Sequence, residues 1–172
     1  INFNSIQFLD NEIGYAGGGT GFGKLLKTTN GGLNWSVFVT FGFISVTDLF
    51  FVNNDTGWVC SNDPLGGWVY KTTDGGGSWQ RQLEQSYYPI KMFFINKDTG
   101  WVGNNQVNAK LFRTTNGGMN WNLQFTSITD INAIFFLTPL KGWIRGGTSG
   151  TNGVAYTKDC GETWTNGQGE IG

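Results

Sequence analysis

Short apolar runs punctuated by glycine-rich turns set the rhythm of this chain, and the rhythm repeats. The segments SIQFL, DLFFV, KMFFI and AIFFL each precede a glycine-aromatic pair, at Gly14-Tyr15, Gly57-Trp58, Gly100-Trp101 and Gly142-Trp143. A second landmark keeps the same beat. The string TTNGGLNW at Thr28 to Trp35 returns as TTDGGGSW ending at Trp79, TTNGGMNW ending at Trp121 and TKDCGETW ending at Trp164, with Trp spacings of 44, 42 and 43 residues. Two markers in phase over four copies define an internal repeat.

Each copy predicts four short strands. In the second, VTDLFFVN is a nearly all-apolar inner strand, expected to be buried on both faces, and TGWVCSN follows after a tight turn. GWVYKTT is the third strand, and SWQRQLE is the alternating, more polar outer one. A period of roughly 40 to 45 residues with four strands per unit is the signature of propeller blades. The expected fold is therefore all-β, a β-propeller or propeller segment of four-stranded antiparallel blades near residues 1–43, 44–86, 87–129 and 130–172, with no helix.

Composition agrees with short, tightly turned strands. Charged residues are 13% of the chain, against about 25% in a typical soluble domain, while aromatics reach 16% and there are 28 glycines. A single domain of 172 residues buries roughly 70% of its unfolded surface, so a core is available. The net charge of -1 leaves no basic footprint, which excludes nucleic acid as a partner. Membrane insertion is not expected either, since no run approaches the roughly 18 apolar residues that a spanning helix requires. The absence of His excludes zinc sites built on His and catalysis by a His base. Cys60 and Cys160 fall at different points of their repeats, and whether they pair is left open.

The glycine-rich turn has a mechanical reading. Asn30, Asp74, Asn116 and Asp159 are placed to accept backbone amides across it, Gly32, Gly76, Gly118 and Gly161 to supply positive φ, and Trp35, Trp79, Trp121 and Trp164 to cover it. The neighbouring Thr adds a weaker local bond. One carboxylate or amide per hairpin does not assemble the six to eight oxygens of a calcium shell, so neither metal nor cofactor is expected.

These S/T-x-D/N-x-G-x-x-W strings resemble the Asp-box, or bacterial neuraminidase repeat. With the preceding apolar strand, D-T-G-W and K-T-T-D/N-G-G, the chain looks most like the photosystem II stability and assembly factor-like propellers and related secreted bacterial proteins, over essentially its whole length. The resemblance implies a propeller with its boxes at the blade periphery, away from any ligand face. It leaves function open, because similar boxes occur in sialidases, xyloglucan-cleaving hydrolases, sortilin-type receptors and non-enzymatic propellers. Such propellers more commonly carry six to eight blades, and the last outer strand, TNGQGEIG, lacks the apolar alternation of VFVTF. A segment completed by further blades or another chain is therefore expected over a closed four-bladed ring.

Comparing the copies with one another separates scaffold from the rest. The first turn and the box turn repeat, and both belong at one end of a meander. The opposite end carries segments that differ, at residues 17–23, 61–67, 104–110 and 146–153, together with the links between blades. Variable loops on a rigid scaffold are where binding resides. Phe41, Phe43, Trp68, Tyr87 and Tyr88 are aromatics that the repeat does not explain, suited either to stacking on a sugar or anchoring a protein, or to packing between blades. Asp63 and Arg145 complete the candidate binding set, and Arg113 also looks off-pattern. Asp48, Asp63 and Asp130 are the acidic residues nearest this face, a thin basis for two-carboxylate hydrolysis. The expectation is a non-enzymatic, extracytoplasmic bacterial scaffold, secreted, periplasmic or at the cell surface, that binds a protein or glycan; the alternative is a fragment of an Asp-box glycoside hydrolase. The setting follows from loops rich in Asn and Thr and poor in charge.

Overall fold

The computed structural model describes residues 2–42, 45–63, 66–85, 88–104, 110–124, 126, 128, 130–147 and 153–167. Among these there is no helix. The chain divides into two compact units, Ile1–Pro89 and Ile90–Gly172, each built around two four-stranded antiparallel sheets.

In the first unit, blade 1 is formed by β1 (Phe3–Phe8), β2 (Gly14–Gly18), β3 (Gly23–Thr28) and β4 (Ser36–Phe41). Blade 2 comprises β5 (Ser45–Phe51), β6 (Gly57–Asp63), β7 (Gly66–Thr72) and β8 (Gln80–Gln85). In the second unit, blade 3 consists of β9 (Pro89–Phe94), β10 (Gly100–Asn104), β11 (Leu111–Thr114) and β12 (Asn122–Gln124). Blade 4 holds β13 (Ala133–Phe136), β14 (Gly142–Gly146), β15 (Gly153–Thr157) and β16 (Thr165–Asn166). In every blade the strands pair in sequence order, the meander that the repeat predicted.

The same aromatic contact closes each blade. A first-strand Phe meets the box Trp edge-on, as Phe8 with Trp35 at 83°, Phe51 with Trp79 at 87°, Phe94 with Trp121 at 85° and Phe136 with Trp164 at 81°. This explains the invariant glycine at the start of the second strand. A Cβ on Gly57 would lie 2.4 Å from the Phe51 ring, and one on Gly100 2.3 Å from Phe94.

Blades pack within each unit through a second aromatic contact. Tyr15 of blade 1 stacks on Phe51 of blade 2 at 3.8 Å and 4°, in a core with Leu25, Val46, Leu49 and Val59. Trp101 of blade 3 stacks likewise on Phe136 of blade 4 at 3.8 Å and 17°, with Leu111, Ile131, Ile134 and Ile144 around them. Burial on both faces holds for the inner strand β5 but not for β1, whose Ile6 and Phe8 are exposed.

Candidate binding face

The box turns are knotted by hydrogen bonds that recur in all four blades. Thr28 Oγ1 accepts the Gly32 amide at 3.0 Å and donates to Asn30 Oδ1, which accepts the Asn34 amide at 2.9 Å. Thr72, Thr114 and Thr157 take the amides of Gly76, Gly118 and Gly161 in the same way. These hydroxyls are more than the weak local bond expected from sequence: all four Thr are buried, so each holds two partners away from water, where the bonds are strongest. Gly32, Gly76, Gly118 and Gly161 have φ between 78° and 94°, as the turn requires.

A covariation within the chain follows from the atoms. Where the box residue is Asp, the residue four on is a hydroxyl that donates to its second oxygen: Ser78 Oγ to Asp74 Oδ2 and Thr163 Oγ1 to Asp159 Oδ2, both at 2.6 Å. Where it is Asn, at Asn30 and Asn116, the partner position is Asn34 and Asn120. A carboxamide has one oxygen to offer, a carboxylate two. These bonds hold the carboxyl groups of Asp74 and Asp159 down to about 2, with the Ser78 and Thr163 hydroxyls as the largest cause.

The first turn of each blade is bonded to the box turn. Gly31 donates its amide to the Glu12 carbonyl, Gly75 to Asp55, Gly117 to Asp98 and Cys160 to Leu140, at 2.7 to 3.1 Å. Both repeated turns therefore share one end of the blade, as the alternation of strand direction demands. The Thr and the Asp or Asn side chains of the box are committed to the turn itself, which leaves the opposite end as the candidate binding face.

At that end, the loop after β2 is tied to the next blade by Ser45 Oγ donating to the Gly19 carbonyl at 2.7 Å. The Asp63 backbone pairs with Gly66 at the close of the β6–β7 ladder; its side chain lies outside the described structure. In blade 3, Asn104 Oδ1 accepts the Lys110 amide at 2.7 Å, and the Asn104 carbonyl accepts the Ile131 amide at 2.8 Å. Asn62 Oδ1 in β6 and Asn104 Nδ2 at the end of β10 are buried with no hydrogen-bond partner among the described residues.

The structure distributes the sequence candidates unevenly. Phe41 packs edge-on against Trp79 at 5.3 Å and beside Tyr70, at the boundary of blades 1 and 2. Trp68 is buried, with the Arg81 guanidinium 4.0 Å above its ring. Tyr88 is half-buried on the link before β9. Phe43 and Tyr87 lie outside the described residues. Asp48 is buried in β5 and accepts the Ser5 hydroxyl at 2.6 Å, while Asp130 sits at φ 57°, a backbone role for which Asp is suited. Arg145 is exposed on β14, its Nη1 donating to Asn132 Oδ1 at 2.9 Å.

Arg113 proves to be part of the repeat. It stands over Trp101 at 5.9 Å, as Lys27 stands over Tyr15 and Lys71 over Trp58 at 5.2 and 5.1 Å. Its guanidinium also donates to Glu162 and to Cys160 Sγ, spanning blades 3 and 4. The signal missed was the basic residue just before the box in LKTT, YKTT and FRTT, which aligned this position without any reference to chemistry. Cys60 and Cys160 are not joined in a disulfide.

These features define an all-β chain of four propeller-type blades. No family model matches it, and no curated protein matches its sequence. Among solved structures it is similar to YCF48 bound to D1 peptide, at 15% identity and TM-score 0.60, covering 95% of this chain and 81% of that one. It is also similar to YCF48 from Cyanidioschyzon merolae, at 18% identity and TM-score 0.68, and to the GH74 enzyme of Niastella koreensis, at 15% and 0.73. Each covers 95% of this chain, which spans 55% of the second structure and 30% of the third. The shared property is the propeller fold, in line with the resemblance to the photosystem II assembly factor-like propellers.

Proposed function

We propose that this chain is a non-enzymatic, extracytoplasmic scaffold that holds a protein partner through the loop end of its blades. The observation that carries this reading is the division of labour between the two ends. The Thr and the Asp or Asn of the box, and the amides that join it to the first turn, are taken up by bonds within that end, while the connections that differ from copy to copy belong to the other end of the meander. One of the similar structures is YCF48 bound to D1 peptide, which supports a peptide segment of a protein as the ligand class here. The low charge of the loops and their Asn and Thr content support a place outside the cytoplasm.

A second reading, glycan binding or hydrolysis, draws on the likeness to the GH74 enzyme. It is the weaker one: Asp48, the buried acidic candidate, already accepts Ser5. Peptides selected from a random display library on the immobilised chain, and xyloglucan and sialoside turnover assayed in parallel, separate the two. The expected outcome is a set of peptides that compete for one site, with affinity lost in Tyr87→Ala/Tyr88→Ala and retained in Asp74→Asn. Turnover of xyloglucan abolished by Asp48→Asn or Asp130→Asn would contradict the proposal and establish the hydrolase.

A further inference from the structure

Within the first unit, a side chain of blade 1 bonds to the inner strand of blade 2 as a neighbouring strand would. Gln7 Nε2 donates to the Phe51 carbonyl at 3.0 Å, and the Phe51 amide donates to Gln7 Oε1 at 2.7 Å. Strand alternation makes this pair possible. The Val52 amide points into its own hairpin, bonding to the Thr56 carbonyl at 3.0 Å, so the amide and carbonyl of Phe51 both point out of it. An extended residue holds these two groups side by side, and a primary carboxamide carries a donor and an acceptor to match them.

The second unit repeats the backbone and changes the side chain. Leu137 bonds to the Lys141 carbonyl at 3.0 Å as Val52 does to Thr56, and Phe136 is paired with Gly142 as Phe51 is with Gly57. The Phe136 amide and carbonyl are therefore turned toward blade 3. At the position of Gln7, one residue before the Phe that meets the box Trp, blade 3 has Phe93. Its ring lies 5.8 Å from that of Phe136 and offers nothing to a backbone group, and no side chain among the described residues bonds to Phe136. Beside this strand lies a cavity of about 200 Å3, walled by Phe93 and Ile95 of blade 3 and by Phe136, Leu137 and Pro139 of blade 4. Phe136 is buried, and backbone groups shielded from water in this way favour a ligand that satisfies them.

We propose that this cavity binds a glutamine side chain of a protein partner, whose carboxamide bonds to Phe136 as Gln7 bonds to Phe51 while its methylenes rest on Phe93 and Ile95. The site lies at the end of the seam where the repeated turns are, apart from the loop end, and neither depends on the other. A carboxylate of the same shape brings no donor for the Phe136 carbonyl and loses its water among apolar walls. A trans peptide group holds its N–H and C=O on opposite sides, so one such group cannot make both bonds.

The test is an NMR titration of the chain with propionamide, which is the glutamine side chain cut from its backbone, beside propionate and N-methylacetamide. Propionamide is expected to move the Phe136 amide resonance saturably and to leave that of Phe51 in place, since Gln7 already holds it. The two comparison ligands are expected to bind at least about tenfold more weakly, each lacking one of the two bonds. In Phe93→Gln the response is expected to vanish, because the new side chain takes the place of the ligand. The inference is overturned if the Phe136 amide does not respond to propionamide, if either comparison ligand binds as tightly, if Phe51 responds equally, or if folded Phe93→Gln still responds.

Discussion

Each box turn places its second glycine at a positive φ, and the residue before that glycine is also left-handed. Gly31, Gly75 and Gly117 have φ of 66° to 69°, and blade 4 puts Cys160 there at 60°. An L-residue in this region costs about 1 to 2 kcal/mol, partly offset by the extra freedom glycine has when unfolded. Cys160→Gly is therefore expected to stabilise the protein by up to about 1 kcal/mol, read as a rise in the urea midpoint, despite loss of the Arg113 contact. The box carboxylates make a second prediction. Asp74 and Asp159 bind fewer protons folded than unfolded, so their contribution is complete above the ordinary carboxylate range and is lost as the pH falls from about 4 to about 2. The unaltered chain should be more stable than Asp74→Asn/Asp159→Asn at neutral pH, and the gap should close across that window. A gap independent of pH would mean that these carboxyls do not feel the turn.

At the scale of the strand and hairpin, stability rests on a chain of rings: box Trp, first-strand Phe, and the second-strand aromatic of the neighbouring blade. Trp121→Ala is expected to cost about 3 kcal/mol, the low end for a large aromatic because the indole is only half-buried, and to be visible in thermal unfolding. The strands and turns were legible in the sequence because four copies expose their common pattern. The box Trp could be assigned to cover its turn from spacing alone, and so could the shared end of the two turns. What spacing could not give was the direction each side chain faces. Phe41 looked unexplained because the residue it packs on, Trp79, is in the next blade. Arg113 looked anomalous until its register beside Trp101 put it level with Lys27 and Lys71. The buried Thr of each box was undervalued for the same reason: a hydroxyl gains weight only once water is excluded from it.

On the scale of the whole molecule, the end whose turns lock each blade stands apart from the end proposed to meet a partner. Sequence alone pointed to that division, since one set of connections repeats and the other does not, and the hydrogen bonds between the two repeated turns supply its physical basis. The loop end itself was less legible, because loops that differ in every copy offer no internal comparison. Amide chemical shifts followed by NMR, as the chain is titrated with a peptide from the display selection, test the division most directly. The account predicts shifts at residues 17–23, 61–67, 104–110 and 146–153 and at the links between blades, with the box amides of residues 30–35, 74–79, 116–121 and 159–164 unmoved. Shifts concentrated in the box amides, with the loops silent, would contradict it.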